Sequence, residues 1–276
     1  MKMNEPTDFQ TDTAAEPIGD NRYRVTLNDR WWVSRGPNGG YVAALMLEAM
    51  TRSVTDTVGD PDAQPPRSLT VHFLAPPRTG PAEIEITIER QGRSTSFISA
   101  RMIQDGEVEA KAMAVFSGPR EGPSFDHGSM PDVPAPEEGQ EMDTGQGPVA
   151  VFSQYRAIPA LGGAPLSGGP RAETAGWLRL KDDQPMTPVL AAAMLDVWFP
   201  APFLNLTEPV RAPTIECTVH FPVTLPVAEK PDWSLIHLNV DQATEGHFSE
   251  DGELWSRDGT LLARCRQVAL LIPRKQ

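Results

Sequence analysis

The chain has 276 residues, 39% of them apolar and 22% charged, enough to bury a core and too hydrophobic for a wholly disordered protein. Asp and Glu number 37 against 24 Lys and Arg, a net charge of −13 that excludes nucleic acid and anionic membrane surfaces as partners, since both require a dense basic face. Two cysteines, Cys217 and Cys265, make neither a disulfide framework nor a zinc ribbon. The first residues are polar and acidic and lack the basic start and apolar stretch of a signal peptide. The longest helix-like apolar run, Tyr41 to Leu47, is too short to span a bilayer. The expected compartment is therefore the cytoplasm, with both thiols reduced and buried in apolar strands.

Taken in chain order, residues 1–18 read as a flexible tail and Tyr23–Leu27 as a short strand. Gly39-Gly40 precede Tyr41–Ser53, a helix rich in Ala, Leu, Met and Glu. Ser68–Leu74 is a strand, and Ala82–Arg90 alternates apolar and polar, with Ile84, Ile86 and Ile88 on one face, as a half-buried strand does. Ser94–Gln104, a hairpin signal at Asp105-Gly106, and Glu107–Phe116 complete a meander. Residues 118–148 are rich in Gly, Pro and acids and read as a surface linker, which opens a connecting segment at 119–168. Beyond it, Trp177–Leu180 is a strand. Thr187 is a natural N-cap and Pro188 suits the first helical position of a helix running to about Trp198. Ile215–Phe221, Trp233–Gln242, Gly252–Ser256 and Thr260–Ile272 are strands, with a loop expected near Thr244–Asp251.

The order repeats. The string TVHF at Thr70–Phe73 recurs at Thr218–Phe221, and AALML at Ala43–Leu47 aligns with AAAML at Ala191–Leu195, both at an offset of 148. Asp105-Gly106 and Asp258-Gly259 align at 153. The expected units are a first repeat at 19–118 and a second at 169–276, each an α+β unit of one buried helix and an antiparallel meander, related by a pseudo-two-fold axis and paired edge to edge so that their edge strands are hidden.

Several strings in order carry a resemblance: GPNGGYVAALMLEAM at 36–50, VHFLAPP at 71–77, GRSTSFISARMIQDGEVEAKAMAVF at 92–116, AAMLDVWFP at 192–200, APTIECTVHF at 212–221 and RDGTLLARCRQVAL at 257–270. Together the sequence resembles the TesB-type acyl-CoA thioesterases. The resemblance implies a double hot-dog, with two antiparallel sheets each wrapped around a central helix. It also implies an acyl-CoA substrate, no cofactor and a homodimer. The family's hydrolytic Asp, Thr and Gln fall on Asp196, Thr214 and Gln267, and its Gly-Gly turn, with the substrate contacts there, on Gly39, Gly40 and Tyr41. Tyr41 stands where the family often has Gln.

Thioester hydrolysis needs a positioned water, a base for its proton and donors for the oxyanion. Asp196 is the only acid between Asp183 and Glu208, within an apolar run whose burial should raise its pKa. A hydroxyl and an amide, Thr214 and Gln267, orient a water without titrating. The Gly39-Gly40 backbone can approach a thioester oxygen closely. At the repeat offsets these three residues fall on Glu48, Pro66 and Ala114, so the first half keeps a carboxylate and loses its partners. Glu48 thus reads as structural. His72 and His220 occupy equivalent positions and suggest a shared packing role. No HxxxH or HExxH spacing points to a metal. Arg93 and Arg101 are candidates for coenzyme A phosphates. Two alternatives stand beside hydrolysis. One is a non-catalytic acyl-CoA-binding protein. The other is a hot-dog hydratase, disfavoured because no His lies between His127 and His220.

Overall fold

The computed structural model describes residues 8–33, 35–60, 62–145 and 149–273. Residues 1–7 of the expected tail and 146–148 of the expected linker lie outside the described residues. The first half runs β1 (Glu16–Gly19), β2 (Arg22–Leu27), a first central helix (Gly39–Val58), β3 (Pro66–Phe73), β4 (Gly80–Gln91), β5 (Thr95–Gln104) and β6 (Glu107–Ser117). The second half runs β7 (Tyr155–Leu161), β8 (Ala172–Leu180), a second central helix (Pro188–Met194), β9 (Thr214–His220), β10 (Ser234–Val240), β11 (His247–Ser256) and β12 (Leu261–Leu270).

The two sheets expected are a single continuous one, joined by the edge-to-edge pairing expected of them. The strands form one antiparallel sheet in the order β1-β2-β4-β5-β6-β3-β9-β12-β11-β10-β8-β7, with the two-residue strand Ala243–Thr244 attached to β11. The halves fuse because β3 and β9 pair with each other, which hides two edges that separate sheets would expose. Thr70 lies opposite Thr218, their hydroxyls 2.9 Å apart. These two residues are equivalents at the 148 offset, so a local dyad passes between them. His72 and His220 flank this axis and are exposed on the outer face, so the packing role expected of them is not seen.

Inside the sheet lie the two helices. The first is buried nearly all round: Leu45, Met46, Leu47 and Met50 are all 0% exposed. Each such side chain contributes roughly 1.5–3 kcal/mol relative to exposure. Gly59, with φ +80°, ends this helix in the left-handed conformation. The second helix is shorter than the span to Trp198 expected from the sequence. The carbonyls of Ala192 and Ala193, which a longer helix would use, face Gly40 at the start of the first helix. The chain instead continues in tight turns, Asp196 N–H to Ala193 O and Val197 N–H to Met194 O. No described helix is long and apolar enough to cross a membrane.

Two segments differ from expectation. Residues 8–18, expected in a flexible tail, are built into the fold. Phe9 is 2% exposed and meets the Trp31 ring edge-on at 5.3 Å, and Glu16–Gly19 pairs with β2. The span 119–168, expected as linker, contains the edge strand β7. Its earlier part runs along the outer face of the second half. There Met130 and Val133 pack on Trp177, Trp233 and Trp255, and Trp177 Nε1 donates to Pro134 O. The matching face of the first half carries charge, such as the Arg101–Glu85 pair. That pairing holds Arg101 on the outer surface, away from the helices.

Candidate active site

The site lies where the first helix begins and the second ends. Asn38 is the N-cap of the first helix, its Oδ1 accepting from Tyr41 N–H at 3.1 Å. Its Nδ2 donates to Asp196 O at 2.6 Å and Asp196 Oδ2 at 3.0 Å. Gly40 N–H donates to the same Oδ2 at 3.0 Å. The Asp196 carboxylate of one repeat therefore occupies the positive end of the other repeat's helix. A glycine is required at 40, since a Cβ there would lie 2.4 Å from Ala193 O. At Gly39 a Cβ would lie 2.9 Å from Asp196 Oδ2.

Asp196 thus sits in the turn after the second helix, not within it. Burial pushes its pKa up to about 6, against the lowering effect of the Gly40 and Gly39 N–H groups and the Gln267 and Asn38 side chains. It is packed round by protein yet keeps a partly accessible surface. A carboxylate so placed is ionised near neutrality and basic enough to take a proton.

Thr214 and Gln267 come from neighbouring strands. Thr214 opens β9 at a bulge: it pairs with Ala269, Glu216 pairs with Val268, and Ile215 is the extra residue. The bulge turns Ile215 outward, 39% exposed, and leaves Thr214 on the inner side. The Thr214 hydroxyl donates to Gln267 Oε1 at 2.8 Å. Gln267, 4% exposed, faces inward from β12 and reaches Asp196 with its amide. The structure thus brings Asp196, Thr214 and Gln267 together.

Glu250 was missed. Its Oε1 accepts from Gln267 Nε2 and its Oε2 from Ala201 N–H, both at 2.7 Å. It is 1% exposed, and burial, with the Asp196 charge among the lesser causes, raises its pKa to about 7. The five residues that the second repeat gains point instead to a loop near Thr244–Asp251. The missed signal was the alternation of Phe248, Glu250, Gly252 and Leu254, which places all four on the inner face of β11.

The expected substrate contacts change character. The Gly40 N–H, expected to face a thioester oxygen, is engaged by Asp196. Tyr41 is 0% exposed, stacks on Trp31 and bonds through its hydroxyl to Asp12 O and Thr26 O, so its side chain is core and does not line the site. Glu48 pairs with Arg52 at 2.7 Å on the helix surface, remote in kind from a buried base. Cys217 and Cys265 are buried beside the cluster, and contact with Cys217 together with burial raises the Cys265 thiol. Among the described residues no group of three or more His, Cys, Asp or Glu could hold a metal ion.

A cavity of about 620 Å³ lies against the second helix, lined by Met186, Leu190, Met194, Leu262 and Trp233 among others. None of Asp196, Thr214, Gln267 and Glu250 lines it, and its two carboxylates, Asp232 and Asp258, are exposed. The buried polar cluster, not this cavity, holds the groups suited to catalysis.

Comparison with known proteins agrees with the fold. Residues 28–117 match the family model for the acyl-CoA thioesterase N-terminal domain, and residues 128–271 that for the C-terminal domain. This chain belongs to the acyl-CoA thioesterase family. A hot-dog protein of unknown function from Alicyclobacillus acidocaldarius is 29% identical, with TM-score 0.87 over 97% of this chain and 98% of that one. Acyl-CoA thioesterase II TesB2 from Mycobacterium marinum shares the fold at 23% identity, with TM-score 0.78 over 97% of this chain and 99% of that one. Thioesterase-like protein TwmA from Talaromyces wortmannii is 37% identical over 100 residues, which span 36% of this chain and 27% of that protein.

Proposed function

We propose that the protein hydrolyses an acyl-CoA thioester with Asp196 as general base and Thr214 and Gln267 as the groups that hold the water. The observation that carries the reading is the hydrogen-bonded set Thr214–Gln267–Glu250 beside a carboxylate whose pKa is raised to about 6. The Thr214 hydroxyl is committed as a donor to Gln267, so its lone pairs accept one proton of the water. Asp196 accepts the other, and Gln267 acts on the water through these two, its amide bonded to both. A lone pair on the water oxygen then faces the carbonyl carbon. Attack forms the C–O bond and passes the water's proton to Asp196. Collapse breaks the C–S bond, and the leaving thiolate takes the proton from Asp196 to depart as coenzyme A. The Gly40 N–H and Asn38 amide hold the base in register, a role we assign in place of direct contact with the thioester oxygen.

A thiol-release assay across acyl-CoAs of varied chain length tests this. Release of free coenzyme A by the wild-type chain, and its loss in Asp196→Asn, is the expected result. Tight acyl-CoA binding without thiol release would overturn hydrolysis in favour of a binding protein. The homodimer implied by the family resemblance belongs to the same proposal, and light scattering on the purified protein tests it.

A further inference from the structure

We propose that Glu250 is a positioning residue: its carboxylate sets which end of the Gln267 amide faces Thr214 and which faces Asp196. The inference rests on reading Asp196, Thr214 and Gln267 as the water-holding groups. β11 and β12 place Glu250 directly opposite Gln267. The two ends of a glutamine amide are nearly equal in shape, so packing alone does not choose between them. The hydrogen-bonding partners choose.

Above its pKa of about 7 the Glu250 carboxylate is ionised and only accepts. One Glu250 oxygen takes the Ala201 N–H and the other requires a donor, so Gln267 turns its Nε2 toward Glu250. Its Oε1 is then directed at Thr214, whose hydroxyl must donate. Two consequences follow. Thr214 is left with only lone pairs to offer a water, and the second Nε2 proton of Gln267 is left for the Asp196 side. Reversing the amide would reverse the Thr214 hydroxyl and set a carbonyl oxygen against the base.

The fold itself does not require a carboxylate here. The position equivalent to Glu250 is Ile98, and it lies opposite Ala114, the equivalent of Gln267. Both are buried, at 1% and 0% exposed. The same sheet therefore accepts an apolar pair where the second repeat buries an acid.

The test is Glu250→Gln in the full chain. A glutamine has one acceptor oxygen and can satisfy Gln267 Nε2 or the Ala201 N–H, not both. We expect kcat to fall roughly tenfold or more, up to the roughly hundredfold that a misplaced group can cost, with KM within about twofold and the far-UV spectrum unchanged. Glu250→Asp, which keeps the charge at shorter reach, should recover part of kcat. Independently of turnover, selective ¹⁵N-glutamine labelling reads the Gln267 side chain directly. One of its amide protons should be shifted downfield and protected from exchange in the wild type, and should lose both properties in Glu250→Gln. An unchanged Gln267 resonance, or Glu250→Gln with near-normal kcat, would overturn the proposal. A wild-type chain that cleaves no acyl-CoA would overturn the hydrolase reading alone, and the amide resonance would then decide the role of Glu250.

Discussion

The two repeats share a backbone and differ on their inner faces. Both open the strand at the dyad with a bulge, at Pro66–Ser68 and at Thr214–Glu216. At the equivalent positions the first repeat has Pro66, Ala114 and Ile98, and the second has Thr214, Gln267 and Glu250. At the helix starts the asymmetry is reciprocal. Asn38 and Gly40 supply donors to Asp196, whereas their equivalents Met186 and Pro188 supply none, proline having no N–H. The repeats set two equivalent groups of positions around one dyad. Only one combines a buried carboxylate, donors aimed at it and a polar pair beside it. A single site thus draws on both repeats.

The largest expected effect comes from removing the base on the polar side. Asp196→Asn should lower kcat about a hundredfold or more, the usual scale for a general base. The same change should stabilise the fold at pH 8. A carboxyl raised from 3.8 to about 6 on folding binds more protons in the native state, so its stability contribution is fully present below the unfolded value and is lost as pH rises through about 6. By that linkage Asn at this position removes a penalty of about 3 kcal/mol, read as a rise in Tm at pH 8 that vanishes near pH 4. A variant both inactive and less stable at pH 8 would contradict a buried, strained base.

Gly40→Ala tests the junction. Its Cβ would lie 2.4 Å from Ala193 O, a backbone atom with no rotamer to yield. We expect a loss of about 1–3 kcal/mol in denaturant unfolding, the usual cost of overpacking, together with loss of turnover. Gly39→Ala meets a movable side-chain oxygen instead, so it should cost kcat more than stability.

Next in size is the pH profile. kcat/KM should fall as pH drops from about 7 through about 6, because a protonated Glu250 no longer fixes the Gln267 amide and a protonated Asp196 cannot accept the water's proton. The limb near 6 should be absent from the residual activity of Asp196→Asn, and the limb near 7 should remain.

The smallest effect belongs to the first repeat's own acid. Glu48→Ala removes a partly exposed helical pair with Arg52 worth about 0.3–0.5 kcal/mol and should leave kcat within twofold. A large loss of kcat would break the asymmetry drawn between the repeats.

Much of this was legible in the chain. Helix propensity and alternation located the central helices and most strands, because both signals are local. The 148 offset anticipated the dyad, since identical strands placed at an axis pair with themselves. Asp196 stood out as the one acid in an apolar run. The ends of that reading failed where long-range contacts took over. The second helix stops at Met194 because its last carbonyls meet Gly40, a contact between residues 153 apart in sequence. Phe9 belongs to the core because Trp31 waits for it, and Tyr41 turns inward because Asp12 O and Thr26 O satisfy its hydroxyl.

The sequence by itself determined the repeat, the class of each half and the residue types able to activate a water. Periodicity and composition act over a few residues and survive in any fold those residues adopt. Only the tertiary structure decided that β3 and β9 are the strands that join the halves, that Gly40 and Asn38 hold the Asp196 carboxylate of the other repeat, and that Glu250 stands behind Gln267. Hydrogen bonds and burial are properties of neighbours in space, and these neighbours come from strands and helices that the chain order keeps far apart.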